Sequence, residues 1–561
     1  ATMDVMVANG ATFELGSHAR LTGMVYVENG GTFVLREGVK HRYEYVEGGA
    51  VKEDTYEYAQ FYGLHNTTGY GVYLKGSDAS MQVAFSEGTT ANTTIAAALY
   101  GKGSISVAAG TAGGTLTLSG DNSGLSGTKT LISGGLIADT NKSLGDTSNT
   151  LGDTINKRWV VNQEAWIASH EFTSADNIFT HIDPSSTGTL ALSNNIKSQL
   201  AELSGTHKNM TLGAEVGKTV NYGTLGTSET LTAVDGVWKL GGGGGELVVN
   251  FVLDGGNTLM LGNHAAAQGT VTLTNNNADF SGDIIFSGTG ITLKATNENA
   301  FGSAKVALDY GNVLALGSVS NYGLIKDGST GVLALASSQD VDLSAHAVTL
   351  GALGEVEYAG SLSATKDGSY RIGGSGHLIF TNQNTFSASN QMYIDGQGLS
   401  GSAVTFARAN AYTGNIVAGG GLQLASVNSS GDVSIHLGHR DSLASASSVL
   451  LQKGASLQFD ALATATVQNL SVQSGASLVN NGFDDTTVTL NVTDTHRSSI
   501  VSSALSGNKI HLVKTGAGTL YMSSTQGELW TGGLTIREGI VEADIHANGW
   551  TNYGGIGSAA V

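Results

Sequence analysis

The sequence has no cysteine and one proline, Pro184, among 561 residues. Without thiols neither a disulfide frame nor a thiolate metal site can form, so stability must come from packing and backbone pairing. A single proline excludes a collagen-type chain, which needs abundant proline beside glycine at every third position. Charge is sparse as well: Asp, Glu, Lys and Arg make up 13% of the residues, about half the usual share. With 27 Lys+Arg against 46 Asp+Glu the formal charge is −19, which excludes a phosphate-tracking surface, because nucleic-acid binding rests on cationic side chains. Long apolar runs are missing too. The stretch from Leu247 to Leu253 is interrupted by Asn250 and falls far short of the roughly 20 residues a membrane helix needs.

What is abundant is glycine, 80 residues, about twice the usual share. A disordered Gly/Ser linker would not also carry 40% hydrophobic residues. The glycines belong to repeats. Val7-Ala8-Asn9-Gly10-Ala11-Thr12-Phe13 returns from Val27 as Val-Glu-Asn-Gly-Gly-Thr-Phe, 20 residues on, and Gly454-Ala-Ser-Leu457 returns from Gly475, 21 residues on. A longer unit begins at Gly114 (Gly-Thr-Leu-Thr-Leu-Ser-Gly), passes Ser126-Gly127 and ends at Gly135-Leu136. It returns as Gly269, Ser281-Gly282 and Gly290-Ile291, and again as Gly518, Gly532-Gly533 and Gly539-Ile540. Looser copies begin at Gly376 and Gly401.

After the first glycine of each unit, polar and apolar residues alternate, the period of a half-buried strand. This places Leu116, Leu118, Val271, Leu273 and Leu520 inside and turns Thr117, Thr272 and Tyr521 outward or into the opposite layer. Gly, Asn and Asp punctuate at short intervals and supply the left-handed corners that tight turns need. Short strands, glycine corners and a period near 20 predict an all-β parallel β-helix with rungs of about 20–21 residues and one non-repetitive insertion. Roughly 25 rungs, about 4.8 Å apart, would stack along the chain. The organisation reads as N-terminal rungs over 1–110 with a Tyr-rich hairpin or loop at 43–73, a repeat over 111–154, the insertion over 155–210, and further solenoid over 211–561.

Lys514-Thr-Gly-Ala-Gly518-Thr-Leu-Tyr-Met-Ser, and Gly113-Gly114-Thr-Leu-Thr-Leu-Ser-Gly-Asp-Asn122 with its following Ser-Gly and Gly-Gly-Leu, resemble the autotransporter-associated β-strand repeat of Gram-negative passenger domains. Recognisable copies cover about a third of the chain. The resemblance implies a solenoid displayed on, or secreted from, the surface of a Gram-negative-type bacterium through an outer-membrane barrel. No C-terminal series of amphipathic barrel strands accompanies it here. The chain opens Ala1-Thr-Met-Asp with no basic, apolar leader, so the expectation of export comes from the repeat.

Motifs for chemistry are few. His436 and His439 are the one close pair among 14 histidines; on an extended strand their rings point to opposite faces, so no shared metal is expected. His170-Glu171 opens like a zinc-protease helix but lacks the second histidine four residues on. Gly241 to Gly245 precede Glu246-Leu-Val-Val rather than the Lys-Ser/Thr of a phosphate loop, and read as a corner before a strand. No Gly-x-Ser-x-Gly elbow and no calcium nonapeptide is present, and no cofactor is expected. The acidic doublets Glu53-Asp54 and Asp484-Asp485 read as exposed turn acids. Carboxylates gathered from separate rungs, as in polysaccharide lyases and hydrolases, stay open as an alternative.

Two segments break the pattern. Between Tyr43 and Tyr73 lie seven tyrosines interleaved with acids, of which Tyr43, Tyr45, Tyr56, Tyr58 and Tyr62 are candidates for binding, since tyrosine supplies large area with a polar tip. The structural alternative makes Tyr43, Tyr45, Tyr56 and Tyr58 cross-strand pairs on a hairpin. Segment 155–210 carries Trp159, Trp166 and a stretch from Ile196 to Leu203 whose spacing fits a short helix. Its tryptophans are candidate anchors for recognition, or else they cover an edge of the solenoid. Together these readings predict a surface adhesin or structural spacer without catalysis, its partner a glycan or protein on a host or neighbouring cell. The alternatives are a carbohydrate-active β-helix enzyme and a self-assembling homo-oligomer or filament joined through exposed solenoid ends.

Overall fold

A computed structural model describes residues 4–16, 23–37, 41–47, 50–56, 71–85, 92–109, 114–147, 156–173, 178–262, 268–317, 322–383, 385–386, 389–419, 432–482, 485–505, 509–523 and 532–544. Strands account for 47% and helix for 4%, and parallel sheets stack as a β-solenoid of about 19 turns. The chain divides into two compact units, Ala1–Ala304 and Lys305–Val561.

In the first unit Val5–Val7, Met24–Val27, Gly71–Leu74 and Ala98–Gly101 pair in parallel as one sheet. Thr12–Gly16, Thr32–Glu37, Ser80–Phe85, Ser104–Ala108 and Lys129–Ala138 run side by side in another. In the second unit Glu355–Tyr358, His377–Phe380, Ser402–Phe406, Val433–Leu437, Ala455–Phe459 and Ser477–Asn480 form a six-stranded parallel sheet. Thr12 sits opposite Thr32 at the expected offset of 20. Many rungs are longer: Ser80 faces Ser104, Gly134 faces Ala165 and Ser402 faces Val433; a few are shorter, Val332 facing Thr349. The longer corners account for a stack of about 19 turns where a strict 20-residue period predicts roughly 25.

The alternation read from the sequence sets the faces. Leu116, Leu118, Val271, Leu273 and Leu520 are all buried, and each such side chain contributes about 1.5–3 kcal/mol by leaving water. Thr117 and Tyr521 are half-buried. Thr272 is buried although its strand turns it outward, because its hydroxyl donates to Glu246 Oε1 at 2.6 Å and Lys294 Nζ lies 3.3 Å from the same oxygen.

The repeat copies share more than pattern. Asn122 is buried; its side-chain oxygen accepts from the Leu99 N–H at 2.8 Å and its amide donates to the Ser143 carbonyl at 2.6 Å. Asn277, at the same place in the next copy, accepts from Leu253 at 2.9 Å and donates to Ala300 at 2.7 Å. Each asparagine thus ties the rung before it to the rung after it, satisfying backbone groups that a corner leaves unpaired. The mid-unit glycines have an equally local cause. A Cβ on Gly127 would strike the Gly103 carbonyl oxygen, one on Gly282 the Asn257 carbonyl and one on Gly532 the Ile510 carbonyl, so only glycine lets the rungs close there. Gly533, Gly290 and Gly539 instead hold left-handed φ near 80–90°. Lys514 of the Lys-Thr-Gly-Ala-Gly motif is buried and donates to the carbonyls of Thr515, Gly516 and Glu538.

Segment 155–210, read above as an insertion, is irregular in sequence, yet the strands among its described residues, 156–173 and 178–210, keep their place in the stack. Trp159–Val161 pairs with the first half of Lys129–Ala138, and Ala165–Ser169 pairs with its second half. Thr189–Leu192 continues the row. The predicted helix over 196–203 shrinks to one turn, Ala201–Ser204, because Ile196 is taken into a parallel bridge with Tyr222. Gly241 to Gly244 have φ of 98, 101, 81 and 83° and form the corner before the strand Glu246–Val249.

Candidate functional site

Trp159, read above as a binding anchor, is fully buried and its indole N–H donates to the Leu144 carbonyl at 3.0 Å. It is part of the core. Trp166 is half-buried, packs against Ile137, Ala168 and Ala191, and lies across Gly135, where any side chain would collide with the indole. Both tryptophans therefore brace neighbouring rungs. Tyr43, Tyr45 and Tyr56 lie on an antiparallel hairpin of His41–Glu47 and Ala50–Tyr56. They do not pair with one another: Tyr43 is opposite Asp54, Tyr45 opposite Lys52 and Tyr56 opposite His41. Tyr58 and Tyr62 lie outside the described residues, as does Asp484, while Asp485 is exposed.

The structure assembles a different aromatic row. On the four-stranded sheet of the first unit, Met6 stands opposite Tyr26, Tyr26 opposite Tyr73 and Tyr73 opposite Tyr100. Their neighbours Val25, Val27, Val72, Leu74 and Leu99 point inward and are buried, so the alternation of the strand turns these four outward. Met6 is 67% exposed, Tyr73 39% and Tyr100 38%. The Tyr26 and Tyr73 rings meet edge to face, 6.5 Å between centroids. Lys75 Nζ lies 5.2 Å from the centre of the Tyr26 ring and 2.6 Å from Glu28 Oε1. Asn29 and Asp78 are bonded to each other at the same border. Beyond Tyr100 the row ends on Gly124, whose Cβ would sit 2.9 Å from the Tyr100 ring. The result is a row of outward side chains with a polar rim, Met6, Tyr73 and Tyr100 exposed and Tyr26 half-buried.

A second row gathers at the ends of consecutive rungs, one residue past each strand: Asp139, His170, Ser193 and Glu215. His170 Nδ1 lies 3.2 Å from Asp139 Oδ1 and its Nε2 3.2 Å from Glu215 Oε1. Ser193 Oγ donates to the other oxygen of Glu215, which is buried. This is a gathering of carboxylates from separate rungs, but both oxygens of Glu215 are already engaged. Among the described residues no group of three or more His, Cys, Asp and Glu is placed to hold a metal ion, and no helix is long and apolar enough to cross a membrane.

Beneath the turn Ala201–Ser204, Leu200, Met210, Tyr222, Leu231 and Trp238 line a cavity of about 50 Å³, room for a few waters and too small for a sugar ring. The Tyr222 hydroxyl accepts from the Leu200 N–H at 3.1 Å, and burial pushes its ionisation up to about 12.

Sequence reading missed the tyrosine row because its members are 47 and 27 residues apart, not 20. The signal was present as three short apolar-Tyr motifs, Val25-Tyr26-Val27, Val72-Tyr73-Leu74 and Leu99-Tyr100-Gly101. Compared with protein-family models, with curated proteins and with solved structures, the chain has no match in any of the three.

Proposed function

We propose that this chain is a passenger-type solenoid, displayed on or secreted from the cell surface, that binds saccharide chains on another surface through the row Met6, Tyr26, Tyr73 and Tyr100. The carrying observation is that row itself: outward aromatic side chains in register on successive strands, Tyr73 and Tyr100 more than a third exposed. A pyranose can lay its C–H face on such rings while its hydroxyls reach Glu28, Lys75 and Asp78 at the rim. Consecutive strands spaced about 4.8 Å apart suit a repeating, extended ligand. The glycine-rich repeats supply a stack that holds the row at fixed spacing.

Binding is preferred over cleavage because the Asp139–His170–Ser193–Glu215 row spends its carboxylates on internal bonds, whereas acid–base cleavage of a glycosidic bond uses two carboxyl groups facing the sugar. The test is a panel of immobilised glycans probed with the full chain and with the triple variant Tyr26→Ala/Tyr73→Ala/Tyr100→Ala. Wild type should give saturable binding that the variant loses by ~100-fold or more, with its circular dichroism unchanged. Equal binding by both proteins would overturn the proposal, and polysaccharide turnover abolished by Glu215→Gln would replace it with the enzymatic reading.

A further inference from the structure

The outer face of the six-stranded sheet carries a cluster that the tyrosine row does not involve. His377 and His436 lie 59 residues apart in the chain, on strands separated by Ser402–Phe406. Their rings approach to 5.5 Å between centroids at an interplanar angle of 39°. His377 Nδ1 lies 3.3 Å from Glu355 Oε2, on the strand before it. His436 Nδ1 lies 3.0 Å from Asp460 Oδ2, which follows the strand after it. Each carboxylate flanks the pair on its far side.

That arrangement fixes the chemistry of both rings. A carboxylate only accepts, so each Nδ1 carries the proton, and each neutral ring then has its lone pair on Nε2. The two nitrogens of an imidazole point to opposite edges of the ring. With both Nδ1 atoms turned outward, both Nε2 atoms turn inward, toward the intervening strand. His377 Nε2 does so: it accepts from the Thr405 hydroxyl on that strand at 2.7 Å, a single bond that an incoming ion displaces. Carboxylate–histidine pairs of this kind orient metal-binding imidazoles and raise their basicity. Asp460 is itself held, accepting from the Asn481 amide at 2.8 Å, and Asn481 also bonds Gln458 at 2.7 Å. Both rings are partly exposed, so an ion and its waters can reach them.

We propose that His377 and His436 form an exchangeable two-histidine site for a divalent transition-metal ion, bound by their two Nε2 atoms across the strand Ser402–Phe406. Two imidazole nitrogens favour Cu2+ over Ni2+ and Zn2+. Water completes the coordination, so the ion is gained and lost readily, as suits a surface site rather than a structural one. His439, the nearer neighbour in sequence, takes no part: its Nδ1 accepts from the Asp441 N–H at 3.1 Å.

The experiment is a calorimetric titration of Cu2+ into the untagged full chain in a non-coordinating buffer, with electron paramagnetic resonance of the complex. One saturable site per chain is expected, its spectrum showing two imidazole nitrogens. His377→Gln and His436→Gln should each weaken it ~10-fold or more, and His439→Gln should leave it unchanged. A site that survives in the His377→Gln/His436→Gln double variant, a wild-type spectrum without two imidazole nitrogens, or no saturable site at all would overturn the proposal.

Discussion

The tyrosine row of the first unit and the histidine row of the second stand on the same kind of surface, the outward residues of a parallel sheet whose inward residues are buried. They differ in how far their side chains are used up. Tyr73 and Tyr100 present exposed ring area, and the polar groups that could serve a ligand lie at the border. In the second unit the polar groups of the histidine row are bonded to one another: Glu355 with His377, His377 with Thr405, and His436 with Asp460, with Gln458 beside them bonded to Ser434 and Ser456 at 3.0 and 2.9 Å. The fold dictates the inward rows and leaves the outward ones free to specialise, one for area and one for directed lone pairs.

The inward–outward contrast is broken most severely by Leu118→Asp, which buries a charge with no partner. It should cost about 3–5 kcal/mol and melt the neighbouring rungs, whereas Thr117→Asp, one residue along, should stay within about 0.5 kcal/mol. Chemical denaturation of the two variants reads the difference; equal effects would mean the strand register is wrong.

Next in size is a pH effect in the first unit. Burial lowers the Lys129 ammonium from its ordinary 10.5 to about 8, so between those values the unfolded chain binds more protons than the folded one. Stability therefore rises with pH from about 8 toward 10, on the order of 2 kcal/mol. The gain stops where buried tyrosines such as Tyr222, raised to about 12, begin to ionise in the unfolded chain. Lys129→Met should flatten this slope in denaturation curves taken at pH 8 and pH 9.5; an unchanged slope would assign it to other groups.

Asn122→Ala and Asn277→Ala sharpen the comparison between repeat copies. Each removes the same two buried hydrogen bonds, and each should cost about 1–3 kcal/mol. Matching losses in midpoint would make the corner asparagine a general device of the repeat, and a neutral Asn277→Ala would confine it to one copy.

The smallest effect expected is in acid. Backbone and hydroxyl bonds from Ser344, followed by the hydroxyl of Ser363, hold Asp342 down at about 2. A carboxyl group whose ionisation is lowered by folding adds stability that is complete above the unfolded value near 3.8 and lost as pH falls toward 2. Asp342→Asn should remove that part of the acid sensitivity, seen as a shallower fall in melting temperature between pH 4 and 2.

How much of this was legible follows from distance along the chain. The faces of Leu116, Leu118, Val271 and Leu273 were readable because a strand's period of two is local. The corner before Glu246 was readable because four successive left-handed residues require glycine. The sites were not, because a solenoid brings together residues at rung offsets that vary with corner length: 17 at Val332 and Thr349, 20 at Thr12 and Thr32 and 47 at Tyr26 and Tyr73. The hairpin His41–Glu47 with Ala50–Tyr56 falls inside that longer offset and hid the alignment of the two tyrosines. Trp159 misled for a related reason: a tryptophan in an irregular stretch signals exposure only if the stretch leaves the stack, and Trp159–Val161 stays within it.

The claim at the centre is that ligand covers the row Met6, Tyr26, Tyr73 and Tyr100. Hydroxyl-radical footprinting tests it directly, since methionine and tyrosine are readily oxidised when exposed and mass spectrometry locates each product. With a saturating glycan hit from the panel, oxidation of these four residues should fall severalfold while that of Tyr393 and Tyr521, outward residues of the second unit, stays constant. Unchanged oxidation of the row under saturating ligand would contradict the account.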